Sequence, residues 1–505
     1  MHKGFKPQFE QFDNRLILDK NSINHFKPIQ TKKNSRPRIN KLNKNEQLLL
    51  KVSSDIRRSS IQKNKKIEYC EKSLDELFQH FQKVMNIEKP IRNGNLEMGI
   101  DYQLKVKNDL ESKLLDLFIH RLSKSIDIFL PDEIFKRIIP ELSLYDETGM
   151  ILDSIFCLSS LIFQRSAPDK IDPSIPVKYY HQSIRSIRYY LSIPGIEDND
   201  KGIFSRCLLS TIILCVYELF FVAVDSTYIK GASSILSTIL SKNKNESILK
   251  NSPFHQTCFW AMFFSDLILS LKYDLPSMYS SDKFWKPLDP EYFEKYNRPK
   301  MAKLNYDKYI SDLTLNKEDT IWWLYKSLLN YSSINEFNNQ VEVITKQDFE
   351  NNTPFKEWLK LKSKLDEFES YMPLNLKPTI YKPSSNTRVF PIIFFKDEMT
   401  AVLVLNYKLS KIALYEALIL KPNQNDDLVK NQIANYPPDY RQKIAKDIIG
   451  ILMTYDSNIN VWSVNVHTLR QLAKYVGKDP ETHKGWQNLV ERVIRLIHLR
   501  FEVHQ

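Results

Sequence analysis

Residues 207–224 read CLLSTIILCVYELFFVAV, and this stretch decides the fold class of the chain. It is apolar on nearly every side, with Ser210, Thr211 and Glu218 as its only polar interruptions. A membrane-spanning helix needs about 20 predominantly apolar residues, so the stretch lies at the lower edge of that length and we do not expect a membrane span. A helix that is apolar all round belongs at the centre of a large helical bundle or stack.

Further helical segments surround this stretch in the sequence. Residues 148–163 and 257–271 are also apolar on most sides, whereas Leu74, Leu77, Phe78 and Phe81 recur at the spacing of one helix face. The chain has only 10 glycines in 505 residues, which argues against hairpin-dense β folds and glycine-rich nucleotide loops. We therefore predict an all-α fold, a large helical bundle or stack with a disordered basic arm at its N-terminus.

Changes in composition predict four segments. Residues 1–67 are rich in Lys, Asn, Gln and Ser without a sustained hydrophobic period, so we expect a disordered basic arm. We expect the first half of a helical domain at residues 68–285, and a mixture of helices and loops at 286–394 with an exposed loop at 372–394. Residues 395–505 supply the C-terminal helices that complete the domain, at 396–420, 438–455, 464–475 and 485–501.

Prolines separate many of the apolar runs. Pro140, Pro168, Pro194, Pro253 and Pro287 all fall between such runs. Proline cannot donate a backbone hydrogen bond inside a helix, so we expect loops at these positions.

The positive charge is concentrated at one end of the chain. Residues 1–66 hold 17 Lys and Arg against 5 Asp and Glu, while the remaining residues hold 55 of each, so all of the net charge of +12 lies in the first segment. Such a segment suits contact with nucleic-acid phosphates or a nuclear import receptor, and a tail that only improves solubility is the alternative. The candidate contact residues are Lys32, Lys33, Arg36, Arg38, Arg57, Arg58, Lys63, Lys65 and Lys66.

The common signatures of enzymes and metal sites are missing from the sequence. It contains no GxxxxGK[ST] or GxGxxG phosphate loop, no GxSxG nucleophile turn, no HExxH and no CxxC pair. The five cysteines lie singly and we expect buried free thiols in a reducing, intracellular compartment. We expect neither catalysis nor a cofactor in this chain.

Four acidic or imidazole features are candidate sites. The run from Glu197 to Asp200 follows Pro194-Gly195 and is typical of a solvated turn, and His181 has no second ligand at helical spacing. Asp266 and Glu218 interrupt apolar helices, where a carboxylate needs a partner. We favour a buried hydrogen bond or ion pair that fixes helix register over contact with a ligand.

Five stretches in sequence order resemble one protein family. They read MILDSIFCLS from Met150, YYHQSI from Tyr179, LLSTIILCVYEL from Leu208, KGASSIL from Lys230 and CFWAMFFSDL from Cys258. Together they resemble the fungus-specific regulatory domain, or middle homology domain, of zinc-cluster transcription factors. The likeness runs from about residue 128 to 275, with a fainter one at 407–414 and after 448.

The resemblance implies a nuclear regulator of transcription whose helical middle region controls activation. Members of the family bind DNA through an N-terminal cluster of six cysteines and two zinc ions, but residues 1–69 contain no cysteine here. We expect either that the chain begins downstream of such a module or that it reaches DNA through a partner. Zinc would be a cofactor only of a missing N-terminal cluster.

The implied partners are DNA, through the basic arm or a DNA-binding partner, and the transcription machinery. A small-molecule effector and a second copy of the chain are further candidates. Two other functions stay open at this point: an α-helical enzyme of lipid or terpenoid type, which would need carboxylates that converge on a cavity, and a helical scaffold or adaptor protein.

Overall fold

The predicted all-α class is confirmed. The computed structural model describes residues 74–87, 105–127, 130, 133–220, 227–243, 246–273, 277–279, 281–297, 317–341, 353–385, 390–419, 433–455, 461 and 472. Of these residues 82% are helical and 2% are in strands. The chain divides into two units, 1–70 and 71–505, and every described residue belongs to the second. The predicted disordered arm therefore lies outside the described residues.

The longer helices are numbered α1 to α13 in chain order. The first eight are α1 at 74–84, α2 at Asp109–Leu117, α3 at Ile134–Tyr145, α4 at Met150–Ser166, α5 at Ser174–Leu191, α6 at Lys201–Phe220, α7 at Thr227–Lys242 and α8 at Pro253–Tyr273. The others are α9 at Pro290–Asn297, α10 at Lys317–Val341, α11 at Thr353–Tyr371, α12 at Glu398–Ile419 and α13 at Tyr440–Thr454. Short helical turns lie between them, among them the π-helical turns Phe118–Leu122 and Ser281–Trp285.

Helices α1 to α8 are here called the first helical group, and α6 lies at its centre, as its apolar sequence predicts. It contacts α4, α5, α7 and α8, and α2 packs on α4. Cys207, Leu208, Ile212 and Ile213 of α6 have no exposed surface. Within the part of the chain that the structure describes, no helix is long and apolar enough to cross a membrane.

The cysteines and prolines test the local predictions. Cys157, Cys207, Cys215 and Cys258 are buried free thiols, as expected, and Cys70 lies outside the described residues.

The prediction of a loop at Pro140 is wrong, because this proline lies inside α3. Its pyrrolidine ring is buried, and its carbonyl oxygen accepts a hydrogen bond from Ser143 Oγ at 2.7 Å. Burial among apolar neighbours offsets the lost backbone bond.

A buried ion pair holds the first group together. Arg206 Nη1 of α6 lies 3.1 Å from Asp146 Oδ1, and the two side chains are 8% and 0% exposed. Asp146 also accepts hydrogen bonds from the hydroxyl of Thr148 and the backbone N–H of Ile151, at the start of α4. Both side chains thus form further hydrogen bonds in addition to the ion pair. A buried ion pair is tolerated only when such bonds are present.

The same arginine fixes the end of α1. Arg206 Nε donates to the carbonyl oxygen of Met85 at 2.9 Å, and Nη2 donates to that of Asn86 at 3.4 Å. Asn86 has a left-handed backbone, with φ of 49°. Gly202 allows α6 to approach the end of α1 this closely, because a Cβ at residue 202 would lie 2.4 Å from Asn86 Cβ. Residue 202 must therefore be glycine for this contact to form.

A second polar contact joins α1 to the start of α8. Ser252 Oγ lies 3.1 Å from His80 Nε2 and 2.7 Å from His255 Nδ1. The ring of Phe81 packs edge-on against that of Phe254. Burial lowers the pKa of His255 to about 4, with a smaller contribution from His80. Burial also lowers the pKa of His80, so both imidazoles are mainly neutral at pH 7.

The second helical group contains α10 to α13. Helices α10 and α12 run parallel, because Lys396 Nζ bonds Thr320 Oγ1 near their starts and Asn338 Nδ2 bonds the carbonyl oxygen of Ala413 near their ends. Helix α11 covers this pair, and Trp358 Nε1 donates to the carbonyl oxygen of Leu414 at 2.8 Å. The predicted C-terminal helices 396–420 and 438–455 correspond to α12 and α13. Those at 464–475 and 485–501 lie outside the described residues except for Leu472.

One continuous apolar core connects the two groups. The indole of Trp260 on α8 stacks on the ring of Tyr325 on α10, with ring centroids 3.7 Å apart and an angle of 8°. Trp260 Nε1 also donates to the hydroxyl oxygen of Tyr292 on α9 at 2.6 Å. Trp260 has no exposed surface and contacts both groups, so it belongs to the centre of the core.

The segment 372–394, predicted to be a loop, contains two short antiparallel strands. Strand β1 is Ile380–Lys382 and strand β2 is Ile392–Phe394, with Ile380 paired to Phe394. Each has three residues, too few for an alternating pattern to be recognised in the sequence. The N–H of Ile393 donates to Thr454 Oγ1, so β2 is attached to the end of α13.

We expect Arg206→Met to lower the free energy of unfolding by about 3–5 kcal/mol, because Asp146 would remain buried without its cation. Lys113→Met is the matched control: it removes a cation from the exposed pair with Asp109 and should change stability little. Chemical denaturation of the full chain measures both. Equal effects of the two substitutions would contradict the central role of Arg206.

The histidine contact predicts a dependence of stability on pH. Because the pKa of His255 is near 4 when folded and near 6.5 when unfolded, the unfolded chain binds the extra proton between these values. The free energy of unfolding should fall by at most about 1.4 kcal/mol per pH unit as the pH decreases through this window. Denaturation at pH 7 and pH 5 measures the slope. His255→Gln should reduce it, and His181→Gln, at an exposed position, should not.

Candidate nucleic-acid interface

The nine basic residues predicted to contact nucleic acid or an import receptor all lie outside the described residues. They are Lys32, Lys33, Arg36, Arg38, Arg57, Arg58, Lys63, Lys65 and Lys66. A candidate interface on the described surface has to be identified from the helices themselves. Helix α5 is the strongest candidate, because it carries three basic residues and no acidic residue over 18 positions.

One side of α5 is fixed against the core. Pro176, Tyr179, Ser183 and Ile187 are buried, at the spacing of a single helix face. Ser183 Oγ lies 2.6 Å from Ser154 Oγ on α4, and the ring of Tyr179 packs against Phe156. These contacts determine which side of α5 is exposed.

The opposite side of α5 carries a stripe of basic residues, here called the α5 stripe. It consists of Lys178, His181, Arg185 and Arg188, all exposed, at successive spacings of three, four and three residues. Residues three or four apart are neighbours on a helix surface, and ten residues of helix span about 15 Å. Three permanent positive charges and one imidazole thus share one line of this length.

The cations of the α5 stripe are free to bind a partner. In the described part of the chain, Lys178, Arg185 and Arg188 form no ion pair, whereas Lys242 contacts both Glu197 and Asp198. Lys178 interacts at longer range with Asp153 and lies 5.6 Å from the ring centre of Tyr179. Arg185 and Arg188 therefore add positive charge that has no ion-pair partner among the described residues.

Two apolar side chains flank the α5 stripe. Val177 is 48% exposed and Tyr189 is 63% exposed. An exposed helix with arginines and a tyrosine has the chemistry of a surface that contacts phosphates and sugars, since guanidinium groups bind phosphate through two hydrogen bonds and tyrosine hydroxyls also bond phosphate oxygens. The arrangement can bind a polyanion without any catalytic step.

A partly buried carboxylate lies behind this helix. The pKa of Asp153 on α4 is raised to about 6, first by burial and then by Glu111 and Asp146, while Lys107 and Lys178 oppose the rise. Glu111 Oε1 accepts a hydrogen bond from the hydroxyl of Tyr179 at 2.9 Å. Glu111 thus bonds the inner side of α5, and neither Asp153 nor Glu111 forms an ion pair with Arg185 or Arg188 in the described structure.

Asp266 has a structural environment, as the favoured hypothesis predicted. Its carboxylate accepts hydrogen bonds from Ser277 Oγ at 2.6 Å and from the backbone N–H groups of Met278 and Tyr279. Burial raises its pKa, and these three hydrogen bonds oppose the rise. The carboxylate holds the segment that follows α8. The side chain of Glu218 lies outside the described residues.

The other two candidates also have identified surroundings. Glu197 and Asp198 pair with Lys242, and Asp200 Oδ1 accepts a hydrogen bond from the N–H of Ile203 at the start of α6. His181 is exposed on the α5 stripe beside Tyr180. The predicted turn is thus a short helix, Ile196–Asn199, that Asp200 follows, and His181 has a surface position.

Neither a metal site among the described residues nor a known relative points to a function. Among the described residues, no group of three or more His, Cys, Asp or Glu is arranged to hold a metal ion. Comparison of the chain with models of protein families, with curated proteins and with solved structures found no match.

The sequence contained a signal for the α5 stripe that pattern reading missed. The segment from Ser174 to Leu191 has basic but no acidic residues, whereas the chain after residue 66 is charge-balanced. Only the structure shows which basic residues are exposed and unpaired.

Proposed function

We propose that this chain is a nuclear regulator of transcription that acts by binding nucleic acid and protein partners rather than by catalysis. The α5 stripe is the observation that carries the proposal. It would contact DNA phosphates directly, together with the basic residues of segment 1–66, or would strengthen a complex in which a partner selects the DNA sequence.

The core arrangement supports a regulatory role. The five stretches that carry the resemblance to the fungal regulatory domain lie on α4, α5, α6, α7 and α8, which pack on one another. A family likeness based on helix packing would be expected at such positions. Under this proposal the helical body transmits partner or effector binding by a change in helix packing.

The electrostatics support contact with DNA rather than with a neutral partner. Lys178, Arg185 and Arg188 have no ion pair to break before they bind phosphate, so little electrostatic energy opposes complex formation. Each phosphate that a cation neutralises releases counterions, and the affinity then falls with salt. The salt dependence of binding therefore reports directly on the number of cations that contact DNA.

We expect the full chain to bind a labelled mixed-sequence DNA duplex with an affinity that decreases steeply with salt concentration. The triple variant Lys178→Gln, Arg185→Gln and Arg188→Gln should lower the slope of log affinity against log salt by about two to three, because each phosphate contact contributes about 0.9. Fluorescence anisotropy over a series of salt concentrations measures the slope.

A matched control removes the same charge elsewhere. Lys230, Lys356 and Lys443 are exposed on α7, α11 and α13, and their triple exchange to Gln should leave the slope nearly unchanged. Equal losses in the two triple variants would show that only net charge matters, and no loss in the α5 variant would refute the interface. A third variant, with Lys32, Lys33, Arg36 and Arg38 exchanged to Gln, tests the contribution of segment 1–66 and should leave folding intact.

A reporter assay tests regulation itself. The full chain, tethered to a foreign DNA-binding module, should change transcription from a promoter that carries the module's site. The module alone is the control. Unchanged transcription under every nutrient and drug condition tried would contradict the proposed function even if the chain binds DNA.

A further inference from the structure

Strands β1 and β2 form a small sheet with one side fixed to the end of α13. The backbone N–H of Ile393 donates to Thr454 Oγ1 at 3.1 Å, and that of Phe395 donates to the hydroxyl oxygen of Tyr455 at 2.9 Å. The side chains of Ile393 and Phe395 are 1% and 6% exposed. The inner face of the sheet therefore belongs to the core, and the position of the sheet on the body is fixed.

The outer face of the same sheet is apolar and exposed. Side chains alternate between the two faces of a strand, so Phe394 lies on the face opposite to Ile393. Phe394 is 41% exposed, and Ile380, which pairs with it across the strands, is 47% exposed. Side chains of directly paired residues are in contact range, so the two form one continuous apolar patch.

The composition of β2 is that of a strand covered on both faces. Residues 391–395 read PIIFF, without a polar position. An antiparallel strand with one solvated face normally alternates apolar and polar residues, whereas a strand that is buried on both faces is apolar throughout. The outer face of β2 thus has the composition of a surface that receives a partner.

The outer edge of β1 is open as well. Among the described residues the sheet has only these two strands. Because the N–H of Ile393 points to α13, its partner Tyr381 directs its own N–H and C=O away from β2. Lys382 and Pro383 at the end of β1 keep this edge short, which prevents continued growth of the sheet but permits pairing with one short segment.

The charge around the sheet has one sign. Residues 371–396 contain four basic residues and no acidic residue. Lys377 precedes β1 and Lys382 ends it, and both are exposed. Neither forms an ion pair in the part of the chain that the structure describes, whereas Lys408 on α12 pairs with Asp447 at 2.8 Å. The two lysines are therefore available to carboxylates of a partner.

These features select a peptide as the partner rather than a nucleic acid. A nucleic acid would use the lysines through its phosphates, but it offers no complement to the apolar pair or to the peptide group of Tyr381. An extended peptide pairs its backbone with an open strand edge and places its side chains against the neighbouring pockets and charges. Only a peptide with both acidic and apolar residues uses all three features.

We propose that this sheet binds an extended segment of a partner protein that is rich in both acidic and apolar residues. The binding surface, here called the hairpin surface, consists of Lys377, Ile380, Tyr381, Lys382 and Phe394. The segment bonds the peptide group of Tyr381, covers Ile380 and Phe394 with its apolar side chains and pairs its carboxylates with the two lysines. The hairpin surface is independent of the proposed contact between α5 and DNA.

Fluorescence anisotropy of labelled peptides with the full chain tests the hairpin surface. The probe is a pool of short peptides in which Asp, Glu, Val, Leu and Phe occur in random order. In one control pool Ser replaces the apolar residues, and in another Lys replaces the acidic ones. We expect saturable binding of the first pool only, because the apolar and the charged contacts each supply part of the affinity.

Ile380→Ser tests the apolar contact. It should weaken binding of the acidic and apolar pool about fivefold to tenfold, since it removes apolar area that the peptide buries. Val177→Ser on α5 is the matched control, because Val177 is exposed to nearly the same extent, 48%, and this exchange should leave the affinity within about twofold. Circular dichroism of both variants checks that the fold is intact.

The exchange of Lys377 and Lys382 to Gln tests the charged contact. The double variant should weaken binding about fivefold and lower the dependence of the affinity on salt. Lys230→Gln with Lys356→Gln removes two exposed lysines on α7 and α11 and should change neither quantity. A probe pool with N-methylated backbone amides should also bind less tightly, because it lacks donors for the carbonyl oxygen of Tyr381.

Four results would overturn the proposal. The first is no saturable binding of the acidic and apolar pool to the native chain. The second is binding that neither Ile380→Ser nor the double lysine variant weakens, and if Ile380→Ser does not fold, the lysine variant alone decides. The third is a double lysine variant that loses affinity for DNA but not for the peptides, since this would identify a nucleic acid as the partner. The fourth is dimerisation of the chain in analytical ultracentrifugation that Ile380→Ser abolishes, since a second copy would then cover the surface.

Discussion

The buried ion pair between Arg206 and Asp146 is the constraint on which the first helical group depends. It joins α6 to the segment before α4, and the hydrogen bonds of Arg206 to Met85 and Asn86 bring the end of α1 to the same place. Removing an ion pair from water is costly, and this one is tolerated because both side chains have further bonds. The surrounding apolar contacts could tolerate small shifts of the helices, whereas the geometry of these bonds permits one arrangement. Loss of either partner would leave the other charge buried without its counter-ion.

The sequence predicts the buried helices better than the contacts between them. The apolar run at 207–224 indicates a central helix because burial on every side requires such a composition, and α6 lies at the centre. Arg206 and Asp146 are 60 residues apart and no pattern joins them. The strands at 380–382 and 392–394 were missed because three residues are too short to show a period. The favoured structural explanation of Asp266 agreed with its contacts, since a buried carboxylate needs partners wherever it lies.

Buried amides in the second group show a limit of sequence reasoning. Asn330 on α10 and Asn406 on α12 are 5% and 2% exposed, and their Nδ2 groups have no hydrogen-bond partner within the described structure. The bonds that define the parallel register of α10 and α12 place the two residues at the same level. Apolar residues at these positions would pack with less desolvation cost, so the amides reduce stability. No pattern in the sequence indicates that these two amides are buried without a hydrogen-bond partner for Nδ2.

The position of the α5 stripe follows from the core rather than from the surface. The hydroxyl of Tyr179 reaches Glu111 on α2, and Ser183 contacts Ser154 on α4, so α5 cannot rotate about its axis without breaking buried hydrogen bonds. Asp146, which anchors the start of α4, thereby also helps to hold the helix on which α5 rests. A change in the packing of α4 would move Arg185 and Arg188 together as one rigid set of charges. Under the proposed function, the buried contacts of α4 and α5 would therefore set where the charges of the α5 stripe meet a polyanion.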